Sequence, residues 1–341
     1  MSKFMRLAVL AAVASFPVAA QAETTLTFST WVPPAHPINK YIFEPWAENV
    51  SKETKGNVKI RFLPKPIGAP NQHYDAVTKG QVDVAYSTYG YQPERFLPYL
   101  IAELPFLGET AVTTSVALWR THNAMIHKAN IHKDVHLLGV MTHGPGMIHH
   151  SKLNIAKPDD LKGQKIRVGG DVPKALVEHM GGVVISQPAP KSYEILSAGI
   201  ADGIFFPFES VKSFNLVKLV PFTTYVKGGL YCSSFWFAMN QEKWNKLSKA
   251  DQAAVTKVSG EAFARIGGAG WDRADKEGRE VAMANNNKIA EAPPAIVEEV
   301  KKVNAKLEAE YATKMDKMGL DGKAVIKLFR DEVAKVEAEK K

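Results

Sequence analysis

One short unit recurs at two places in the chain. The stretch HYDAVTKGQVDVAYSTYG, beginning at His73, aligns with SYEILSAGIADGIFFPFE, beginning at Ser192. In both, an acid follows a tyrosine (Tyr74-Asp75, Tyr193-Glu194). A glycine stands six positions after the tyrosine (Gly80, Gly199) and an aspartate nine positions after it (Asp83, Asp202). Glycine holds the left-handed conformation that ends a helix at no steric cost, so the unit reads as helix, tight turn, strand. Each copy also follows a strand beginning KIR, at Lys59-Ile60-Arg61 and at Lys165-Ile166-Arg167. Repetition in the same order and context predicts two lobes of like topology.

The remaining chain alternates strand and helix. Residues 23–30 alternate polar and apolar side chains and read as a strand. The spacing of Ile42, Trp46 and Val50 predicts a helix over 38–53, with strands at 58–63 and 82–86 around a helix at 71–79. After a helix near 112–127 the pattern restarts. Strands are expected at 135–141, 165–168, 183–186 and 203–206, with helices at 172–180 and 193–198. Such alternation builds parallel-rich sheets covered by helices. Residues 235–239 (FWFAM) form another strand candidate. A long helix over 248–285 opens with a capping box, Ser248-x-x-Asp251, and its internal Gly267, Gly268 and Gly270 demand close packing or a bend. Residues 295–310 and 322–338 read as charged amphipathic helices of an outer layer.

Lys3 and Arg6 precede a short apolar run over 7–16, and Ala20-Gln21-Ala22 has the A-x-A form of a cleavage site. Residues 1–22 are expected to be a signal peptide cleaved after Ala22, which places the mature chain in the periplasm; an uncleaved anchor is the other reading. No later segment has the roughly 18 uninterrupted apolar residues of a membrane span. The formal charge is +8, from 43 basic and 35 acidic residues, but the excess is scattered and not interleaved with aromatics, so nucleic acid is not an expected partner. Cys232 is the single cysteine, which excludes an internal disulfide and any metal site needing two thiolates.

Catalytic signatures are missing. There is no G-x-S-x-G elbow, no phosphate-binding G-x-x-x-x-G-K-[ST] loop and no complete G-x-G-x-x-G after a strand. His132 and His136 have the spacing of a metal pair, but Asp134 is the only acid nearby, and surface or loop histidines are the expectation. Ser233-Ser234 lacks an identifiable base. Binding is therefore favoured over catalysis, with no cofactor and no metal.

Parallel α/β lobes bind ligands outside the carboxyl ends of their strands. Arg167 sits near such an end, between Ile166 and Val168 and just before Gly169-Gly170. A guanidinium there either takes a ligand carboxylate bidentately or pairs with a neighbour such as Asp171.

Four segments together resemble the DctP-type solute-binding proteins of TRAP (tripartite ATP-independent periplasmic) transporters. They are KPDDLKGQKIRV at 157–168, the G-x-x-D-G-x-x-x-P element from Gly199 to Pro207, the Tyr74 to Asp83 unit, and PERFLPYLIAELPFLG at 93–108. The resemblance covers nearly all of the mature chain. It implies two α/β lobes joined by crossing strands and a long helix, closing on a small organic acid that is passed to TRAP membrane subunits. It also implies that Arg167 clamps the ligand carboxylate and that Arg61 is structural.

Two positions depart from the family pattern. Many members carry a second arginine about where Met147 lies, and many have asparagine where this chain has Phe206. Both changes replace polar ligand partners with apolar ones, which disfavours sugar acids and dicarboxylates because their polar groups would be buried unpaired. A monocarboxylate with an aromatic or apolar body is the expectation. Trp31, Tyr89, Phe206, Tyr231 and Trp236 are candidate walls, each with ordinary core as the alternative. His149 or His150 could supply a donor near the lost arginine. Lobe I is expected over 23–143 plus about 235–270, and lobe II over 144–234 plus about 271–341. Other organic acids (a sulfonate, a 2-oxo or a hydroxy acid) and a periplasmic hydrolase are the competing functions.

Overall fold

A computed structural model describes residues 23–339, so the signal-peptide reading of 1–22 lies outside the described residues. The chain begins with β1 (Thr24–Ser29), α1 (Glu44–Glu53), β2 (Val58–Phe62), α2 (His73–Thr78) and β3 (Val84–Thr88), which form a parallel triplet in the order β2-β1-β3. Next come α3 (Pro93–Phe96), α4 (Ala111–Ala124) and β4 (Val135–Thr142). The chain then crosses to β5 (Met147–His150), β6 (Lys165–Val168), α5 (Asp171–His179), β7 (Val183–Ser186), α6 (Ser192–Ser197), β8 (Gly203–Phe206), α7 (Phe208–Ser213) and β9 (Phe222–Tyr225). It returns as β10 (Ser234–Asn240), antiparallel between β3 and β4. Helices α8 (Gln241–Lys246), α9 (Lys249–Lys257) and α10 (Glu261–Ala284), strand β11 (Lys288–Glu291), and helices α11 (Pro294–Lys317) and α12 (Gly322–Ala338) complete it. The result is a two-lobed α/β structure, with a five-stranded sheet β2-β1-β3-β10-β4 and a six-stranded sheet β11-β9-β5-β8-β6-β7.

The repeat is structural. β6-α5-β7-α6-β8 follows the path of β1-α1-β2-α2-β3, and both triplets have the order second-first-third. Gly80 (φ 69°) and Gly199 (φ 66°) end the equivalent helices in the left-handed region. The repeated aspartates then do the same work in each sheet. Asp83 accepts from Thr27 N on β1 at 2.8 Å, and Asp202 accepts from Lys165 N on β6 at 2.9 Å. Their carbonyls receive Asn240 N (2.8 Å) and Ser151 N (2.9 Å) from the ends of the antiparallel neighbours. The KIR spelling is not part of this symmetry. Lys59–Arg61 falls on β2, whose counterpart is β7, and Arg61 is exposed, whereas Arg167 lies on β6 and is buried.

The helix expected over 248–285 is broken. Gly260 has φ 61° and donates its amide to Leu138 O at 2.7 Å, and a Cβ there would meet the Trp119 ring, so α9 and α10 are separate. The glycines of α10 serve close packing. Gly268 lies against the backbone at Val112, Gly270 against Ile42, and Gly278 against the backbone at Phe208. One helix thereby touches both lobes. Of the segment assigned to lobe II, α12 lies on α4 of the first sheet's half, where Thr113 Oγ1 donates to Glu337 at 2.7 Å and Arg120 pairs with Glu339 at 2.7 Å.

Candidate ligand-binding site

On β6 the alternation sends Ile166 into a helix-covered core and Arg167 to the opposite face. The Arg167 side chain is 1% exposed. Its Nε and Nη2 donate to Gln187 O, just past β7, at 2.9 and 2.6 Å, and its guanidinium stands 4.5 Å from the Phe206 ring centre at the end of β8. A Cβ on Gly169 would come within 2.9 Å of Nη2, so glycine is what lets the backbone turn beside the charge. Burial lowers the Arg167 pKa, opposed by the Tyr91 and Tyr231 hydroxyls, and no carboxylate acts on it among the described residues. The alternative pairing with Asp171 is not formed. A guanidinium stays charged even so, and a buried charge without a counter-ion is costly.

The carboxyl ends of both parallel triplets face one small cavity of about 40 Å³. Lobe I contributes Trp31 after β1, with Thr88 and Tyr91 at the end of β3. Lobe II contributes Arg167, Phe206 and Glu209. His143, Tyr231 and Phe235 come from the crossing segments, and Trp271 from α10. Tyr91 spans the cleft: its hydroxyl accepts from Ala189 N at 2.9 Å and also engages Arg167. The crossings are tied to each other by His143 N to Ser233 O (3.1 Å) and Gly146 N to Tyr231 O (2.7 Å). Buried side-chain atoms without a protein partner cluster here: Trp31 Nε1, His36 Nε2, Thr88 Oγ1 and Trp271 Nε1 all belong to cavity-lining residues. Beside a cavity, such atoms can be met by a ligand or by water.

One acidic group, Glu209, borders it, and a second, Glu103, lies close enough to act on the Tyr91 and Tyr231 hydroxyls. Glu103 is buried, accepts from Ser234 N and Oγ at 3.0 and 2.9 Å, and has its pKa pushed up to about 8 by burial. Glu209 is fully buried and accepts from Ser210 Oγ at 2.8 Å and Ser213 Oγ at 2.6 Å. His143 Nε2 accepts from Ser233 N at 2.9 Å, so this imidazole is not poised as a base for the Ser233 hydroxyl. The Ser234 hydroxyl is held by Glu103. His132 and His136 have different neighbours: His132 meets the Tyr89 hydroxyl at 3.0 Å, and His136 stacks on Trp244 at 3.5 Å.

Of the residues expected at the ligand, Trp31, Arg167, Phe206 and Tyr231 border the cavity. The others lie elsewhere. Tyr89 stacks on Tyr99 at 4.3 Å inside the first lobe, because the turn after β3 sends it inward and Tyr91 outward. Trp236 makes an edge contact with Tyr74 at 5.2 Å, since alternation along β10 gives the cleft face to Phe235. Met147 pairs with Phe206 in register but lines a separate groove with Tyr225 and Arg279. His149 is sealed beneath β8, with Nε2 donating to Phe206 O at 3.0 Å and Nδ1 accepting from Thr223 Oγ1 at 2.9 Å. His36, Tyr91, Glu209 and Trp271 were not anticipated. For Trp271 the preceding GGAG run was the available signal, because close packing there brings α10 against the cleft.

The family model for DctP, "Bacterial extracellular solute-binding protein, family 7", matches residues 28–314. A curated relative from Comamonas testosteroni, the "Outer membrane transporter protein TsaT", is 32% identical over 96% of this chain and 98% of its own length. A TRAP periplasmic solute-binding protein from Bordetella bronchiseptica, solved with (R)- and (S)-mandelate, superposes with a TM-score of 0.89 at 37% identity, covering 92% of this chain and 99% of that one. Another from Rhodoferax ferrireducens T118, solved with copurified benzoate, has a TM-score of 0.87 at 28% identity, covering 93% and 100%. Paired sheets and a shared cleft agree with this likeness along nearly the whole length: the chain belongs to the DctP family of TRAP-transporter solute-binding proteins.

Proposed function

We propose that this protein captures an aromatic monocarboxylate in the periplasm, after removal of residues 1–22, and presents it to TRAP membrane subunits. Arg167 takes the ligand carboxylate, and Trp31, Phe206 and Tyr231 enclose the ring. The carrying observation is the buried Arg167 guanidinium, which among the described residues meets a carbonyl and two phenols but no carboxylate. A ligand carboxylate supplies the missing counter-charge, and one arginine matches one negative group. The apolar Phe206 side chain bordering the cavity favours a ligand without a second anionic group. The mandelate and benzoate held by the two related proteins are of this class. The lobes would close by a population shift toward the liganded form.

Thermal-shift screening of aromatic and branched monocarboxylates, sulfonates, 2-oxo acids and sugar acids tests this. A ligand at a hundredfold excess over its dissociation constant adds about 2.7 kcal/mol of stability. Aromatic monocarboxylates are expected to give the largest shifts, lost in Arg167→Ala and largely lost in Arg167→Lys, which cannot form the planar fork. Shifts confined to sugar acids, or shifts that survive Arg167→Ala, would overturn the reading.

A further inference from the structure

The cavity holds a second polar centre that a plain aromatic acid would leave unused. His36 is 4% exposed and Glu209 is fully buried, and both border the cavity with Ser210. His36 Nδ1 accepts from Ile38 N at 3.3 Å, so the neutral ring carries its proton on Nε2. Burial lowers the His36 pKa, opposed by the neighbouring Glu209 carboxylate. That Nε2–H has no hydrogen-bond partner among the described residues and stands 3.4 Å from Glu209 Oε1. The Glu209 carboxylate receives the Ser210 and Ser213 hydroxyls, which leaves acceptor capacity on both oxygens. A buried donor and a buried acceptor therefore stand side by side.

We infer that His36 and Glu209 recognise a hydroxyl on the ligand's ring, making the preferred ligands phenolic monocarboxylates; this rests on the role proposed for Arg167. A hydroxyl both accepts from Nε2–H and donates to Glu209. A second carboxylate or a sulfonate would face Glu209 as a like charge. A methyl group would leave the histidine donor and the carboxylate unpaired. An ammonium would suit Glu209 but oppose the histidine donor. A hydroxyl on the carbon next to the ligand carboxylate would draw that carboxylate toward Glu209 and away from Arg167, so the hydroxyl belongs on the ring.

Isothermal titration of the full chain with benzoate, 3-hydroxybenzoate, 4-hydroxybenzoate and mandelate tests the inference. At least one ring-hydroxylated acid is expected to bind about tenfold or more tighter than benzoate, the size of one hydrogen bond to a charged group. Mandelate should gain less. In Glu209→Gln and in His36→Phe the ratio of the benzoate to the hydroxybenzoate dissociation constant should collapse toward one. Should one variant not fold, the other decides. Benzoate binding with no gain from either ring hydroxyl would overturn the inference alone, as would a gain that persists in the folded variants. If neither benzoate nor its hydroxylated forms bind, the reading of Arg167 falls as well.

Discussion

Asp272 and Asp275 stand one turn apart on α10 and cap helices in different lobes. Asp272 accepts from Ala111 N at 2.6 Å and Val112 N at 3.3 Å at the start of α4. Asp275 accepts from Glu209 N at 2.9 Å at the start of α7. Gly268 and Gly278 permit this by letting the same two helix starts touch the α10 backbone. The long helix is therefore the shared abutment of both lobes, and the crossing segment at Gly144 lies against both carboxylates.

The two caps should separate stability from binding. Replacing either aspartate by alanine removes a cap of about 1 kcal/mol, read as a lower denaturation midpoint. Asp275 also fixes the backbone of Glu209, which borders the cavity, so Asp275→Ala should weaken aromatic-acid binding as well. Asp272→Ala should leave affinity close to that of the parent. Equal affinity losses in titration calorimetry would refute this division of roles.

Much of the fold was legible because its signals are local. The glycine-ended helices and their aspartates recur in sequence, and the structure gives them matching hydrogen bonds in both sheets. The strands that escaped notice, β5 (MIHH), β9 (FTTY) and β11 (KIAE), are four residues long with little apolar alternation, and neighbouring strands hold them in place. The repeated KIR spelling misled, because a tripeptide does not record whether its strand lies at the sheet's edge or within it. At the site, the fixed charge in β6 was conspicuous, since an arginine between β-branched residues has few structural explanations. Glu209 and His36 were not, because their meeting depends on how the two lobes face one another.

Adjacent aromatics on β10 provide a sharper check on the site. Phe235 borders the cavity and stacks on Trp271 at 5.5 Å, while Trp236 points to Tyr74 in the lobe I core. Phe235→Ala should lower ligand affinity more than it lowers stability. Trp236→Ala should cost about 3–5 kcal/mol of stability, the range for deleting a buried large aromatic. The paired measurements are a denaturant titration of each ligand-free variant and a calorimetric titration of each folded one. A greater affinity loss from Trp236 than from Phe235 would reverse the assignment of faces.

The buried titratable groups give the ligand-free protein a stability that declines on both sides of mildly acidic pH. Glu103 has a folded pKa of about 8 against an ordinary 4.5, and Asp275 one of about 7 against 3.8, both raised chiefly by burial. The folded state holds these protons more tightly than the unfolded chain does, so stability falls as pH rises from the ordinary values through the raised ones. His122, His136, His143 and His149 run the other way and outnumber the two carboxyls. Burial lowers each from 6.5 to about 4, so the unfolded chain gains protons first and stability falls as pH drops from 6.5 through 4, by on the order of 3 kcal/mol per histidine. Above about pH 7.5 Asp275 is mostly deprotonated and Glu103 supplies most of the remaining titration. The Glu103→Gln variant keeps an oxygen to accept from Ser234 but has no proton to lose. Its melting temperature should therefore be nearly flat between pH 7.5 and 8.5, where the parent's declines. A variant that declines with the parent's slope would show that Glu103 is ionised in the fold at neutral pH, and would move its carboxylate into the charge balance of the Arg167 site.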